Sequence, residues 1–600
     1  MTSGNPTPQK AITGGEFLIR DVSADEIFTP EEWTEEHRMM LQTGLDFVAQ
    51  RIIPNLERIE AQEEGLTPKL LEEVGELGLL GSSVPEELGG LGLDFKSTML
   101  ITESMGGAHS FAVSFSAHTG IATLPILYYG NDAQKQKYVP GLATGELKGC
   151  YCLTEPGSGS DANSGKTSAK LNEAGTHYVL NGQKMWITNG GFADILIVFA
   201  KIDDDENLSA FICERGYDGI TMNPEEKKMG IKGSSTRQVF FNDVEVPVEN
   251  LLYERGKGFK IAVNILNIGR IKLGGVVIGS CKDAITESVK YTNAREQFGR
   301  PISKYGAIRH KLGEMAIQTY ALETAVYRAT QNIDDAIADL AAGGMDKGEA
   351  TLKGIAAFAP ECAMMKILGS EVTDYVVDEA VQVHGGMGYS AETRAEHAYR
   401  DARINRIFEG TNEINRMLTV DMILKKAMKG EMDLMTPAMA VANELTGVPD
   451  FATPSSDPFE RQLAYVANLK KAILLVAGGA VQKLMMSLAK EQEILMNIAD
   501  MAIWTYTIES TVLRVQKLAQ QKGGTDDLAV QLAIMNVYTY EASEWIHSAG
   551  KEALLSFAEG DELKMMLMGM KRFCKTEDIN PKEARQLIAM DLIEKNGYTL

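Results

Sequence analysis

The sequence predicts a multidomain, mainly α-helical protein with a central β domain. With 600 residues, the chain is too long for a single hydrophobic core, so two to four packed units are expected. Helical periodicity runs from about residue 30 to 150 and from 258 to about 428. Short alternating runs separate these two sections, and further helical patterns continue to the C-terminus.

The first helical section contains a well-marked helix, TPKLLEEVGELGLLG, at residues 67–81. We expect Thr67 to be its N-cap, Pro68 to lie in its first turn and Gly78 to lie near its end. The pattern predicts an amphipathic helix. The apolar residues spaced to share its buried face are Leu70, Leu71, Val74 and Leu77.

The β section, from 151 to about 250, is marked by THYVLNGQKMWIT, DILIVFAKI and RQVFFNDVEVP. Asn-Gly pairs at 181–182 and 189–190 favour hairpin turns. We therefore predict an antiparallel β domain of about 100 residues.

A loop rich in Pro, Ser, Thr and Asp, TGVPDFATPSSDPFE at 446–460, is the best candidate linker. The predicted organisation is an N-terminal extension (1–35), an N-terminal helical domain (36–150), a middle β domain (151–255), a C-terminal helical domain (256–430), a linker (431–460) and an additional C-terminal helical domain (461–600).

The composition excludes several classes of protein. The apolar fraction of 44% and the charged fraction of 24% are those of an ordinary globular protein. A formal charge of −23 argues against nucleic acid, because phosphate neutralisation needs clustered Lys and Arg. The longest apolar run, AILLVAGGAV at 472–481, is about half of the roughly 20 residues that a membrane span needs.

The N-terminus has neither the basic start and apolar core of a secretory signal nor an Arg-rich transit pattern. The six cysteines form no CxxC pair and the eight histidines no HxxxH pair. We therefore expect a cytoplasmic protein, with neither a disulfide framework nor a metal site.

Three stretches could hold an anionic or heterocyclic ligand. YCLTEPGSGSD (151–161) offers backbone N–H groups and hydroxyls to such a ligand, but it could equally be a surface turn, and it lacks the G-x-G-x-x-G spacing. The glycines of QVHGGMGY (382–389) allow either close ligand approach or tight helix packing. The arginines of REQFGRPI (295–302) either hold a phosphate or face water.

A carboxylate in RIFEGTNEINR (406–416) is the candidate base. Glu409 follows the apolar pair Ile407-Phe408 and precedes a Gly410-Thr411-Asn412 turn. It is either a solvated residue ahead of a helix or a base held beside an apolar ligand. By itself, the local sequence favours the solvated residue.

Together, six stretches resemble signatures of the acyl-CoA dehydrogenase family: VPEELGGLG (84–92), YCLTEPGSGSD, KMWITNGG (184–191), REQFGRPI, QVHGGMGY and RIFEGTNEI. The similarity runs from about residue 40 to 428. The form RIFEGTN and the extra C-terminal helical unit make the chain most similar to the very-long-chain branch and its bacterial relatives. The resemblance implies that 256–430 is a four-helix bundle.

The resemblance implies an FAD site between the β domain and the following helical domain. Trp186 would flank the ring, Ile187 and Thr188 would reach its N5 edge, and Ser160 would also reach the CoA portion. Arg295, Gln297 and Phe298 would contact the adenine and diphosphate half from a neighbouring subunit, which implies at least a dimer. The implied cofactor residues are Tyr151, Leu153, Thr154, Gly159, Ser160, Trp186, Ile187, Thr188, Arg295, Gln297, Phe298, Gln382, Val383, His384, Gly385, Gly386, Thr411, Asn412 and Glu413.

The resemblance implies that Glu409 is the catalytic base that removes the α-proton of the acyl thioester. The carbonyl oxygen would be stabilised by the flavin ribityl 2′-hydroxyl and the backbone N–H of Glu409. A solvated Glu, with a pKa of about 4.3, is a poor base. We expect burial beside Ile407-Phe408 and the acyl chain to raise the pKa, against the opposing effect of a helix beginning near Asn412.

The implied substrate residues are Ser160, Asn267, Arg270, Gly410, Val113 and Ala117. Arg270 matches an arginine at the substrate mouth, where Asn267 replaces an acidic residue of medium-chain enzymes. Some branches place the base immediately before this arginine, but that position here is Gly269. Val113 and Ala117 stand at the pocket floor in place of larger polar residues, which favours a long acyl chain.

The implied activity is FAD-dependent conversion of acyl-CoA to trans-2-enoyl-CoA in fatty-acid β-oxidation, with electrons passed to an electron-transfer flavoprotein. An acyl-CoA oxidase, which would produce peroxide under air, is one alternative. A respiratory-complex assembly protein on the same scaffold is another, which retention of Glu409 and of the flavin loop disfavours. The Met-rich region 461–600 is compatible with peripheral membrane association, dimer support or ordinary core packing.

Overall fold

The computed structural model describes residues 12–447 and 455–600. Much of the predicted N-terminal extension and part of the predicted linker therefore lie outside the described residues. Within these ranges the chain forms two compact units. Unit 1 comprises residues up to 32, 320–365 and 415–591, and unit 2 comprises 33–319, 366–414 and 592–600. The domain limits given above stay predictions.

Unit 2 begins with the predicted helical section. Its helices are α1 (Glu35–Phe47), α2 (Leu56–Glu60), α3 (Leu66–Glu76), α4 (Phe95–Ser104), α5 (Ser110–Ser116), α6 (Thr123–Tyr129) and α7 (Asp132–Thr144). A π-helical turn joins α5 to α6 over Ala117–Ala122.

The start of α3 differs from the sequence prediction. Gly65, with φ 75°, is the N-cap, and Thr67 lies inside the helix with its side chain buried. Leu77 is 45% exposed, because the helix ends at Glu76 and the face no longer continues. Leu70, Leu71 and Val74 are buried as predicted, and Gly78 follows the helix end with φ 77°.

The predicted β domain is an eight-stranded sheet. Its strands are β1 (Gly149–Cys152), β2 (Ser168–Leu171), β3 (His177–Thr188), β4 (Ile195–Ile202), β5 (Ser209–Glu214), β6 (Ile220–Met222), β7 (Thr236–Pro247) and β8 (Leu251–Leu252). The order is β6-β7-β3-β2-β4-β5-β8, and β1 pairs with β4. Alternate residues of the strands, such as Leu180, Val239, Phe241 and Val244, fill one buried cluster.

Two details of the β prediction are wrong. The sheet is mixed, since β4 pairs in parallel with both β1 and β2. Asn181–Gly182 lies inside β3 and not in a hairpin turn, and the register to β7 shifts here because β7 carries one extra residue opposite Asn181. Asn189–Gly190 does make a turn after β3, but the next strand, β4, is not its sheet neighbour.

Helices follow the sheet as predicted. They are α8 (Gly258–Ala294), α9 (Gly306–Ala342), α10 (Lys347–Ala357), α11 (Ala359–His384), α12 (Gly386–Tyr389), α13 (Arg394–Ala402) and α14 (Asn412–Met428). A two-stranded hairpin of β9 (Glu296–Gln297) and β10 (Arg300–Pro301) follows α8. In unit 2, α8 packs along α4, where Gly275 and Gly279 allow close approach of Met99 and Glu103.

The additional C-terminal helices belong to unit 1 over most of their length. They are α15 (Met435–Thr446), α16 (Pro458–Leu484), α17 (Gln492–Lys522), α18 (Ala529–Phe557), α19 (Gly560–Phe573) and α20 (Pro581–Lys595). Helices α16, α17 and α18 pack on one another around residues such as Val476, Val512 and Ile534.

By length and composition, three helical stretches among the described residues are apolar enough to cross a membrane. These are Ser110–Tyr129, Gly258–Ala294 and Pro458–Lys490, and the apolar windows are 78%, 72% and 39% buried inside the protein. The expectation that no stretch approaches the length of a membrane span is therefore wrong. Single polar residues interrupt the apolar runs in these helices, but the mean hydropathy over a longer window stays high.

Candidate active site

A cavity of about 540 Å³ lies in unit 2 with Glu409 on its wall. Most of its lining is apolar or small, including Ala112, Val113 and Ala117. The two predicted pocket residues, Val113 and Ala117, are thus both found on the lining. Thr188, from the end of β3, lines the same cavity, so the structure brings the β section and the candidate base together.

The backbone at Glu409 is held in an unusual conformation. Glu409 has φ 58° and Gly410 has φ 83°, and a non-glycine residue in this left-handed region needs surrounding contacts to hold it. Arg270 Nε donates to the Glu409 carbonyl oxygen at 3.3 Å. Lys366 Nζ donates to the Gly410 carbonyl oxygen and to Asn412 Oδ1, both at 2.7 Å. These contacts fix the turn that presents the carboxylate.

Helix α8 leaves room for the Glu409 carboxylate at Gly269. A Cβ at Gly269 would lie 2.5 Å from Glu409 Oε2 and 3.0 Å from its carboxyl carbon. Any side chain at this position would therefore collide with the Glu409 carboxylate. The position where some branches carry the base is, in this chain, the space that the Glu409 carboxylate needs.

The electrostatics of Glu409 match the sequence expectation in direction. Burial raises the pKa of Glu409 above its ordinary value, while the positive charges of Arg270 and Lys366 act in the opposite direction. The opposition shown thus comes from the two side chains, and α14 begins at Asn412 as predicted. The residue as a whole shows intermediate solvent exposure, whereas its carboxyl Oε2 is buried at the cavity wall.

The two apolar residues before Glu409 point in different directions. Phe408 lines the cavity beside Glu409, whereas Ile407 is 48% exposed on the outside. Adjacent residues in this irregular segment point in different directions, so the expectation that both residues desolvate the base is wrong for Ile407.

Buried contacts hold the loop 151–161 against β3. The Met185 N–H donates to the Thr154 carbonyl oxygen at 3.0 Å. Lys184 Nζ lies 2.6 Å from Glu155 Oε1, and both side chains are buried. Glu155 therefore holds the loop beside β3, the strand that carries Trp186. This contact was not predicted from the sequence motif.

The face next to this loop is open. Trp186 has φ 60° and is 52% exposed, Gly159 and Ser160 are exposed, and Thr154 is partly exposed. Tyr151, Leu153 and Ile187 are buried beneath them. Within the described chain, the buried Tyr151 hydroxyl has no hydrogen-bond partner.

Apart from His384, the other predicted cofactor residues on the helices and the β9–β10 hairpin are not on the cavity lining. Arg295, Gln297 and Phe298 are exposed at the β9–β10 hairpin, and Phe298 reaches 94% exposure. Gln382, Gly385, Gly386 and Glu413 are also exposed, whereas Val383 is buried and Thr411 is partly exposed. His384 lines the cavity and stacks on Tyr291, with ring centroids 4.3 Å apart.

Asn412 and Asn267 are occupied by protein contacts. The Asn412 amide donates to Ser370 Oγ and to Glu371, both at 3.0 Å. Asn267 Oδ1 accepts from Arg270 at 2.9 Å. Direct ligand contacts by these two residues stay predictions.

Two lysines and one ionic cluster at the site were not predicted from the sequence. Lys366 clamps the Glu409 turn and Lys272 lines the cavity, but each stands alone in a helical pattern without a motif. His109, His397 and Asp401 come together from distant segments, with ligand atoms within 4.8 Å of one another. Glu60 joins them, since its Oε1 lies 3.2 Å from His397 Nε2. The expectation of no metal site stays a prediction.

The comparisons with known proteins identify the family of the chain. Sequence profiles of the acyl-CoA dehydrogenase N-terminal domain match residues 34–146, and those of the middle domain match 150–244. Two profiles, each described as an acyl-CoA dehydrogenase C-terminal domain, match residues 256–424 and 468–572.

Similar proteins cover nearly the whole chain. A "Probable acyl-CoA dehydrogenase" of Bacillus subtilis is 46% identical over 98% of both chains. The mitochondrial very long-chain specific acyl-CoA dehydrogenase of Macaca fascicularis is 36% identical over 81% of this chain and 72% of its own. An acyl-CoA dehydrogenase from Bacillus anthracis, crystallised with FAD, superposes with a TM-score of 0.95 at 47% identity, covering 98% of this chain and all of the other.

The residues of this chain fit FAD. Adding a Cβ to Gly159, Gly385 or Gly386 meets no atom within 4 Å, so open space lies beside each glycine. The unpartnered Tyr151 hydroxyl and the half-exposed Trp186 indole offer a hydrogen bond and an aromatic face to a flavin. Since the fold, the site and the relatives agree, the chain belongs to the acyl-CoA dehydrogenase family and is an FAD-dependent oxidoreductase.

Proposed function

We propose that this enzyme converts long-chain acyl-CoA to trans-2-enoyl-CoA in fatty-acid β-oxidation, with Glu409 as the base. One observation carries the proposal: the Glu409 carboxylate, with a raised pKa, lies on the wall of a long apolar cavity. A base with a pKa moved toward neutral pH is better suited to proton abstraction than a solvated carboxylate.

In this reaction, the work of the chain is to position and protect the base. Bound FAD supplies the hydride acceptor at the β-carbon. Glu409 takes the α-proton, and the contacts of Arg270 and Lys366 with its turn keep the carboxylate in place. The backbone N–H of Glu409 donates to the thioester oxygen and stabilises the negative charge that develops there. Phe408 and the bound acyl chain exclude water from the base.

The cavity dimensions support a long acyl chain. Its lining follows α8 from Gly269 to Tyr291, which corresponds to about 33 Å of helix at 1.5 Å per residue. The stretch up to Val277 is mostly apolar, and Asp283, Glu287 and Lys290 line the far end. A fatty acyl tail spans roughly half of the ~30 Å hydrocarbon core of a bilayer. The cavity is therefore long enough for such a tail, and Ala112 and Ala117 keep it open.

We also propose that the enzyme is a cytoplasmic homodimer that passes its electrons to an electron-transfer flavoprotein. Light scattering measures the dimer, and reduction of purified electron-transfer flavoprotein measures the acceptor. Cell fractionation tests the location, and recovery in the membrane pellet would instead favour the peripheral association considered above.

Anaerobic bleaching of the flavin by palmitoyl-CoA tests the central step. The wild-type enzyme should bleach rapidly, and Glu409→Gln should slow the reaction by about a hundredfold to ten-thousandfold, the usual contribution of a general base. Glu245→Gln removes an exposed carboxylate from β7 and serves as the matched control. A Glu409→Gln enzyme that bleaches at the wild-type rate would refute the proposed role.

A series of acyl-CoA substrates tests the chain length, and oxygen tests the acceptor. We expect kcat/KM to be higher for palmitoyl-CoA than for butyryl-CoA. Steady peroxide production in air, at the rate of substrate turnover, would identify an oxidase instead. Fast turnover of butyryl-CoA alone would contradict the long-chain assignment.

A further inference from the structure

A buried lysine lies on the wall of the cavity, one helical turn along α8 from Gly269, the residue that packs against the Glu409 carboxylate. Lys272 is 7% exposed and lines the cavity, three residues after Gly269 on α8. Three residues of helix correspond to about 4.5 Å along the axis. No step of the proposed reaction uses this ammonium group.

Lys272 differs from the other lysine and arginine residues on the lining. Lys290 Nζ lies 3.1 Å from Glu287. Arg394 lies 3.0 Å from Asp283 and 3.2 Å from Glu287. Across residues 12–447 and 455–600, Lys272 makes neither a hydrogen bond nor an ion pair. Burial lowers the pKa of Lys272 to about 8, so the group still carries its proton at neutral pH.

Packing does not explain a lysine at this position. Its neighbours on the same lining, Leu273, Val276 and Val277, are apolar, and an apolar residue would suit the site better. An ammonium group that faces a mostly apolar cavity without a counter-ion is costly because it loses part of its hydration. Such isolated ionisable groups in clefts are candidates for ligand binding.

We propose that Lys272 is a binding point for a carboxylate carried on the acyl chain, so that the enzyme also accepts acyl-CoA derived from dicarboxylic acids. An unsubstituted acyl chain offers the ammonium no hydrogen-bond acceptor. A carboxylate supplies both the opposite charge and an acceptor, and such charge-assisted hydrogen bonds are the strong ones. This inference rests on the proposed function, since it specifies the substrate class of the same cavity.

The test compares carboxylated with plain substrates of equal length. The pairs are adipyl-CoA with hexanoyl-CoA, sebacyl-CoA with decanoyl-CoA, and hexadecanedioyl-CoA with palmitoyl-CoA, assayed by anaerobic flavin bleaching. For at least one pair, Lys272→Met should lower the carboxylated-to-plain ratio of kcat/KM by about tenfold or more, the usual effect of losing a hydrogen bond to a charged group. Lys260→Met removes an exposed lysine from the same helix and should leave that ratio as in the wild type.

The outcomes separate this inference from the proposed function. If no acyl-CoA bleaches the flavin, the proposed function fails. If plain substrates react but Lys272→Met leaves all three ratios unchanged, the inference alone is overturned. It is also overturned if free adipate, and not its thioester, shows the Lys272-dependent binding. Loss of FAD from the folded Lys272→Met variant would overturn it as well, since Lys272 would then hold the cofactor. Lys272→Gln, which keeps a polar group without the charge, repeats the test if the Met variant does not fold.

Discussion

At the scale of single residues, Gly269 decides whether Glu409 can act. Because a Cβ there would lie 2.5 Å from Glu409 Oε2, Gly269→Ala must displace the carboxylate. We expect kcat for acyl-CoA to fall by about tenfold to a hundredfold, since small misplacements of a reacting group have large effects. The melting temperature should change little, because Ala favours the interior of a helix by up to about 1 kcal/mol over Gly. Stopped-flow bleaching and calorimetry measure the two quantities.

Gly275→Ala on the same helix is the matched control. Its Cβ would meet only the flexible methyl end of Met99, at 2.6 Å, and that side chain can turn away. An equal loss of kcat in both variants would show that any added methyl group on α8 disturbs the enzyme. The clash with Glu409 would then not be the cause.

The acid limb of the pH–rate profile reports the pKa of Glu409. Burial raises this pKa, and the charges of Arg270 and Lys366 partly offset the effect. The base must be ionised, so kcat/KM should rise with pH through a midpoint above the ordinary value for Glu. Lys366→Met removes one positive charge and should move the midpoint further up. A midpoint that stays fixed or moves down in this variant would contradict the assignment.

At the scale of secondary-structure elements, an ionic cluster joins α2 to α13. His397 Nε2 lies 3.2 Å from both Glu60 and Asp401. Burial by itself would lower the pKa of His397, but its close contacts with the two carboxylates and their negative charges raise it to about 9. Burial by itself would raise the pKa of Glu60, but the same interaction contributes to holding it at about 2. The two pKa shifts describe one interaction, so only the shift of His397 is converted into a stability below.

The sign of the His397 shift predicts a pH dependence of stability. A histidine with a raised pKa stabilises the fold fully below its unfolded value, near 6.5, and loses this contribution as pH rises through about 9. At pH 6, His397→Gln should cost roughly 3 kcal/mol, since each pKa unit corresponds to about 1.4 kcal/mol. Melting temperatures between pH 6 and 10 should converge for variant and wild type as pH rises. Parallel curves would contradict the prediction.

Elements differed in how well the sequence predicted them. Leu70, Leu71 and Val74 defined the buried face of α3, because helical spacing is local information. Thr67 was a wrong N-cap, since the left-handed Gly65 starts the helix instead. The parallel pairing of β1 and β2 with β4 depends on long-range contacts that no local pattern contains.

In the candidate site, too, some residues could be predicted from the sequence and others could not. Glu409, Val113 and Ala117, which the resemblance singled out, all lie on the cavity wall, and the role of Glu409 as the base stays a prediction. The roles of Lys366, Lys272 and His397 could not be predicted, because each depends on residues that are distant in the sequence. Ile407 was misplaced because the irregular turn gives no periodicity from which to predict its direction.

At the scale of the whole molecule, unit 1 has a network of buried charges among its helices. Arg514 on α17 donates to Glu323 at 2.8 Å and to Glu31 at 2.7 Å. Glu509, five residues earlier on α17, accepts from Arg328 at 2.8 Å and from Lys470 at 2.5 Å. Except for the partly exposed Glu31, these partners are buried, so each depends on the other for compensation of its lost hydration. The network thus ties α9, α16 and α17 together in one geometry.

Removing one member should therefore destabilise unit 1 strongly. Arg514→Met takes the guanidinium away from Glu323, which is 2% exposed, and should lower the free energy of unfolding by roughly 3–5 kcal/mol. Lys564→Met breaks an exposed pair with Asp561 on α19 and should cost about 0–1 kcal/mol. Urea titrations followed by circular dichroism compare the two variants. A double variant, Arg514→Met with Glu323→Leu, should recover part of the loss, because the buried carboxylate is removed as well. Equal and small effects of the two single variants would show that the buried network contributes no more than a surface pair.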